Sequence, residues 1–142
     1  MGARMVPFAG WEMPVQYQSI LAEHAAVRER AGIFDISHMG QFVAFGAGVA
    51  GWLEGMLTNR VAALAPGQGQ YTMMLNPQGG VIDDLIIYRM REGEFLLVVN
   101  ASRLEEDLEW LGGRLADGVS LRNDSAGWAR MAVQGPRAVE AF

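Results

Sequence analysis

The segment Gly79-Gly80-Val81-Ile82-Asp83-Asp84-Leu85-Ile86-Ile87-Tyr88 constrains the fold of this chain more than any other. Its long apolar run reads as a buried strand. Asn76-Pro77-Gln78 and the two glycines ahead of it supply the turn conformations of a hairpin connection. Tyr71 to Leu75 and Val81 to Met90 are then the two paired strands, so the chain must build an antiparallel sheet. Inside that second strand sit two adjacent acids. An ionised carboxylate removed from water without partners is costly, and the pair is therefore a reason to look for a ligand.

Strand alternation separates the two acids. It puts Ile82, Asp84, Ile86 and Tyr88 on one face, and Val81, Asp83, Leu85, Ile87 and Arg89 on the other. Both faces are apolar, which predicts a central strand covered on both sides. The two carboxylates cannot then address one ligand. Asp84 shares its face with Tyr88, which offers a ring for stacking and a hydroxyl for hydrogen bonding. The alternative for either acid is acceptance of backbone hydrogen bonds at the hairpin entrance.

The remaining segments predict an α+β fold with a mostly antiparallel sheet and helices on one side. Ser19 to Ala31 carries a helical repeat with Gly32 as its C-terminal stop. Gln41 to Phe45 is a strand, Val49 to Leu57 an amphipathic helix, Pro66 to Gly69 a loop, and Glu94 to Asn100 a strand. Ser102-Arg103-Leu104-Glu105 has capping-box spacing, predicting a helix to about Leu115 with Leu104, Leu108, Leu111 and Leu115 on one side. Val119 to Arg122 and Ala129 to Gln134 are further strands, and a last helix opens after Gly135-Pro136.

Composition narrows the function classes. The 142 residues suit one domain, and 51% hydrophobic against 19% charged residues describes a globular chain. With 11 Lys and Arg against 16 Asp and Glu, the net charge of −5 lacks the basic clusters a general nucleic-acid binder needs. Cysteine is absent, which removes disulfides, thiolate nucleophiles and cysteine metal sites. No apolar run reaches bilayer length, and Met1 to Trp11 lacks the apolar centre of a secretory signal. A cytoplasmic protein without membrane partners is expected, or an organellar one whose transit peptide has been trimmed.

His38, in Asp35-Ile36-Ser37-His38-Met39-Gly40, reads as a loop-ordering residue. A Ser-His-Asp triad is assembled from distant segments, and His24 is the only other histidine available to a metal. The 18 glycines form neither a dinucleotide fingerprint nor a Walker loop. Asn100 closes the apolar strand Phe95 to Val99, either as a turn residue or as an amide that recognises a polar heterocycle.

Four segments together resemble the aminomethyltransferase, or T-protein, family of the glycine cleavage system. They are Met5-Val6-Pro7-Phe8-Ala9-Gly10-Trp11-Glu12-Met13-Pro14, then Gly32 to Gly40, then Asn76 to Tyr88, and Val133-Gln134-Gly135-Pro136. Their order is similar to the N-terminal part of that family. The resemblance implies that residues 1–142 form a partial folate-binding domain, ferredoxin-like and truncated at both ends. It implies transfer of an aminomethyl group from the lipoyl arm of the H-protein to tetrahydrofolate. The products are 5,10-methylenetetrahydrofolate and ammonia, and no metal takes part.

By the same resemblance Asp84 is the catalytic aspartate beside the folate nitrogens. Tyr71, Ile86, Tyr88 and Asn100 line the pterin and its linker, with Met39 a further folate contact. The family's later glutamate, arginine and tryptophan lie beyond Phe142, so the chain alone is expected to be inactive and to self-associate. Two relatives of other function share the superfamily: an iron–sulfur assembly branch, and folate modules fused to flavin-dependent amine dehydrogenases or oxidases. The intact Gly-Gly-Val-Ile-Asp-Asp-Leu stretch favours the transferase.

Overall fold

Turn chemistry explains the hairpin at the centre of the chain. The Asn76 side-chain oxygen accepts from the backbone N–H of Gln78 at 3.0 Å and of Gly80 at 2.8 Å. Gly79 takes φ 81°, which a side chain would strain. In the computed structural model, residues 2–141 are described.

In chain order the elements are β1 (Arg4–Phe8), β2 (Trp11–Gln16), α1 (Ile20–Glu29), β3 (Gly32–Asp35), β4 (Gly40–Gly46), α2 (Val49–Met56) and β5 (Gly69–Leu75). Then follow β6 (Val81–Arg91), β7 (Glu94–Val99), α3 (Leu104–Gly112), β8 (Val119–Asn123) and β9 (Met131–Gln134). Every strand pair is antiparallel, so the α+β fold with an antiparallel sheet is as expected. The elements fall into two compact units, one of residues 1–38 and 129–142, the other of residues 39–128.

The second unit is a five-stranded sheet in the order β5-β6-β7-β4-β8. One face is packed by α2 and α3. Val49, Trp52 and Leu53 of α2 and Leu111 of α3 meet Phe42, Leu85, Ile87, Phe95, Leu97 and Val99 of the sheet. Phe42, Ile87, Phe95 and Leu97 are wholly buried, and burial of such a side chain is worth about 1.5–3 kcal/mol. The indole of Trp52 donates to the carbonyl of Arg114 at 2.6 Å, which ties α2 to the segment after α3.

The other unit joins the β1–β2 hairpin, α1 and the β3–β9 pair. The hairpin turns through Ala9 and Gly10, both with positive φ. Helix α1 begins as predicted, with the Ser19 hydroxyl accepting from Ala22 N–H.

Several expectations are corrected. No element is predicted for Met5 to Pro14, where β1 and β2 pair; a two-stranded ribbon tolerates Pro7 and Pro14 on its edges. Gly32 does not stop α1 but opens β3, pairing with Gln134. The capping box at Ser102 does not form: a 3-10 turn, Ala101–Arg103, precedes α3, and no side chain caps the helix. Helix α3 ends at Gly112 and leaves Leu115 exposed outside it. After Pro136 the chain forms a 3-10 turn, Ala138–Ala141, rather than an α-helix.

Candidate active site

The two acids of β6 do go to opposite faces. Asp83 is buried with Leu85 and Ile87 on the helix-covered side, whereas Asp84 is exposed. The prediction that β6 is covered twice is wrong, however. Ile86 and Tyr88, on the face of Asp84, are 38% and 37% exposed, and their β5 neighbours Tyr71 and Met73 are 54% and 39% exposed. On that same face Leu96 and Val98 of β7 are buried. The open part is therefore confined to β5 and β6: an apolar patch of two tyrosines, a methionine and an isoleucine around one carboxylate. Ile82 also departs from the alternation. A bulge skips it in the pairing of β5 with β6, and it turns toward the helix-covered core instead of joining Asp84.

Register brings four of the predicted residues together. Tyr71 faces Ile86 across β5 and β6, and Met73 faces Asp84. The Tyr71 hydroxyl donates to Asp84 Oδ2 at 2.8 Å. Its hydrogen bond to that carboxylate holds the phenol above its usual titration range. Since Ile86 pairs with Val98, continuing the register sets Asn100 opposite Asp84. The Asn100 amide nitrogen donates to the Asp84 carbonyl at 3.0 Å and approaches Asp84 Oδ1 at 3.3 Å. Asp84 is thus held from both sides, by a phenol and an amide.

Asn100 is committed further than either sequence reading foresaw. Its backbone N–H donates to Asp83 Oδ2 at 3.1 Å and its side-chain amide to Asp83 Oδ1 at 2.8 Å. The amide nitrogen is occupied by the two acids, which leaves the amide oxygen as the group able to meet a ligand. Asp83 was expected to be satisfied by backbone or solvent. The backbone part holds, but its side-chain partner is Asn100, a third acid, Asp107 of α3, lies beside it, and solvent has little access.

Tyr88 is placed by a glycine. Gly69 lies directly across from it, and any Cβ at Gly69 would run into the Tyr88 ring. The ring therefore lies over the bare backbone of β5. Met39 immediately precedes Gly40, the partner of Val99, and so reaches the strand end that carries Asn100; it is half-buried.

Asp107 and Gly69 were missed in the sequence. Asp107 had a visible signal, because it interrupts the apolar side of α3 between Leu104 and Leu111. Gly69 had none, since its significance depends on cross-strand register. His38 lies half-buried with its ring edge-on to Phe8 at 6.3 Å between centroids. The Asp35 carboxylate accepts from Ser37 N–H at 2.9 Å, so this segment orders a loop. Among the described residues no group of three or more His, Cys, Asp or Glu is placed to hold a metal ion. No helix among them is long and apolar enough to cross a membrane.

The second unit is thus an antiparallel α+β sheet that presents one carboxylate within an open apolar patch. Comparison with known proteins makes the relationship specific. The family model described as the GCVT N-terminal domain matches residues 1–142, and the chain belongs to that family. It is 51% identical over 140 residues to an aminomethyltransferase of Deinococcus deserti, covering 98% of this chain and 39% of that protein. It is 50% identical over 137 residues to an aminomethyltransferase of Geobacillus kaustophilus, covering 96% and 38%. The fold matches the crystal structure of the glycine cleavage system aminomethyltransferase T from Bartonella henselae with a TM-score of 0.90 and 36% identity. That match covers 98% of this chain and 38% of that one. The chain thus spans about two fifths of the length of the relatives it matches.

Proposed function

We propose that this chain supplies the folate-facing part of a cytoplasmic aminomethyltransferase of glycine cleavage. The reaction moves an aminomethyl group from the lipoyl arm of the H-protein to tetrahydrofolate. It yields 5,10-methylenetetrahydrofolate and ammonia and leaves the lipoyl arm reduced. The observation that carries the reading is Asp84, a carboxylate fixed by Tyr71 and Asn100 in the middle of an exposed apolar patch.

A pterin is a flat heterocycle with polar edges, and the patch suits both properties. Tyr71, Ile86 and Tyr88 offer apolar surface for its faces. The Asn100 amide oxygen and the Asp84 carboxylate accept hydrogen bonds from its N–H edge. Met39 adds apolar contact at the same strand end. In the reaction a folate amine attacks the aminomethyl carbon while ammonia departs, and positive charge develops on nitrogen. Asp84 acts by stabilising that charge and orienting the pterin, a fixed electrostatic partner already in place before the reaction begins. Direct proton transfer is secondary.

The test compares Asp84→Asn with Asp84→Ala in a full-length aminomethyltransferase that carries this segment, by kcat/KM with aminomethylated H-protein and tetrahydrofolate. Loss of a fixed charge partner costs on the order of 10²–10³ in rate. Both variants are expected to fall by that much, because Asn retains the shape but not the charge. An Asn variant that keeps most of the turnover refutes the electrostatic role.

A further inference from the structure

Behind Asp84 lies a carboxylate pair that this chemistry does not use. Asp107 of α3 is wholly buried and lies beside Asp83, itself only 5% exposed. Neither oxygen of Asp107 receives an N–H or hydroxyl from another described residue, whereas Asp83 accepts two N–H bonds from Asn100. Two neighbouring carboxyls in a dry site strongly disfavour joint ionisation. The proton belongs on Asp107, which burial and the neighbouring Asp83 push upward and which no described N–H or hydroxyl supports as an anion.

We propose that Asp107, as a neutral acid donating to Asp83, is a positioning residue for the folate-facing carboxylate Asp84. The connection is continuous. Asp107 fixes Asp83, Asp83 holds the Asn100 amide at 2.8 Å, and the same amide nitrogen lies 3.0 Å from the Asp84 carbonyl and 3.3 Å from its Oδ1. Removal of the Asp107 proton would set two anions against each other, displace Asp83 and release the amide. The significance for catalysis rests on the folate reading of Asp84, but the hydrogen-bonded chain does not.

The charged groups around Asp107 are Asp83 from β6, Arg103 from the turn before α3, and Glu106 from α3 itself. Arg103 favours the anion but is engaged elsewhere, donating to the Ile82 carbonyl at 3.1 Å and to Glu106 at 2.6 Å. Burial, and then Asp83, prevail and push Asp107 up to about 8. The proton is accordingly held at neutral pH and lost in the mildly alkaline range.

The experiment follows the side-chain amide resonance of Asn100 by nitrogen-15 NMR from neutral to alkaline pH, in the protein and in Asp107→Asn and Asp107→Leu. The wild-type amide is expected to titrate with the Asp107 carboxyl. Asp107→Asn keeps an N–H donor for Asp83 but no proton to lose, so its Asn100 resonance stays flat. Affinity for 5-formyltetrahydrofolate, measured by calorimetry, stays within about twofold in Asp107→Asn and falls about tenfold in Asp107→Leu, the effect of one lost hydrogen bond. A flat wild-type amide, or an unchanged titration in Asp107→Asn, overturns the proposal. An amide that behaves as expected in a set of proteins that all fail to bind the folate supports the hydrogen-bonded chain and overturns only the folate reading.

Discussion

Asn100→Asp replaces one side-chain N–H donor by an oxygen with almost no change in shape, at the point where two acids already meet. The substitution removes the amide bond to Asp83 Oδ1 at 2.8 Å and that to the Asp84 carbonyl at 3.0 Å; the backbone N–H to Asp83 at 3.1 Å survives. A hydrogen bond to a charged group is worth about 1.5–3 kcal/mol. The new carboxylate also stands beside Asp83, and two such charges about 4 Å apart repel by about 4 kcal/mol at an effective dielectric of about 20. It can escape by binding a proton, which restores a donor to Asp83. At pH 7 that proton costs an ordinary aspartate about 4 kcal/mol. The protonated route is the cheaper, so the loss near neutrality is about 4 kcal/mol. The sign with pH follows: the new acid has a raised folded-state pKa, so stability is fully present below its unfolded value and is lost as pH rises. Asn100→Ala, which loses the donor without adding charge, should cost about 2 kcal/mol with little dependence on pH. Urea unfolding followed by tryptophan fluorescence across the acid-to-neutral range measures both. If Asn100→Asp matches Asn100→Ala at every pH, the close contact of Asn100 with Asp83 is refuted.

Two other perturbations address residues outside that cluster. Gly69→Ala drives a methyl into the ring of Tyr88; folate affinity should fall by about tenfold as the ring is displaced, and a far smaller loss with Gly69→Ala than with Tyr88→Ala would show that Gly69 does not place it. Glu23 Oε1 accepts from the backbone N–H groups of Tyr17, Gln18 and Ser19 at 2.8, 2.7 and 3.2 Å, and these bonds hold its carboxyl below the usual range. That support for the start of α1 is present above the ordinary glutamate value and lost as pH falls through the lowered one, so the protection of those three amides relative to their intrinsic exchange rate should fall on acidification in wild type but show no such step in Glu23→Gln.

What the sequence reveals of this fold depends on how far apart the cooperating residues lie. The β5–β6 hairpin, α2 and β7 are legible because each is specified by neighbours: a turn with its own hydrogen bonds, an apolar side at helical spacing, an unbroken apolar run. Strand β3 is not, since its partner β9 is about a hundred residues away and its first residue, Gly32, has local chemistry that reads as a helix stop. The capping box at Ser102 failed for a related reason. Arg103 is drawn to the Ile82 carbonyl at 3.1 Å, a tertiary contact beside the bulge in β6 and outside the range of any local pattern. Within the site, period-two alternation was enough to separate Asp83 from Asp84. It could not show that only one face of β6 is covered, because Ile86 and Tyr88 are apolar whether they pack against protein or await a ligand.

That ambiguity bears on why the two acids are adjacent. A strand sends consecutive side chains to opposite faces, so an Asp-Asp pair delivers one carboxylate to the open patch and one to the dry side at the same height along β6. Asn100, at the end of the neighbouring strand, can then reach both, with its amide on Asp83 Oδ1 and on the carbonyl and carboxylate of Asp84. A single acid on the open face would depend on an exposed phenol alone for its orientation. With a second acid behind it, the amide that steadies Asp84 is anchored in the core and takes its rigidity from α3 through Asp107. Moving the rear acid by one position would put it on the wrong face, and moving it by two would take it out of reach of Asn100. The carboxylate of the open patch and its anchor must therefore be neighbours in the chain.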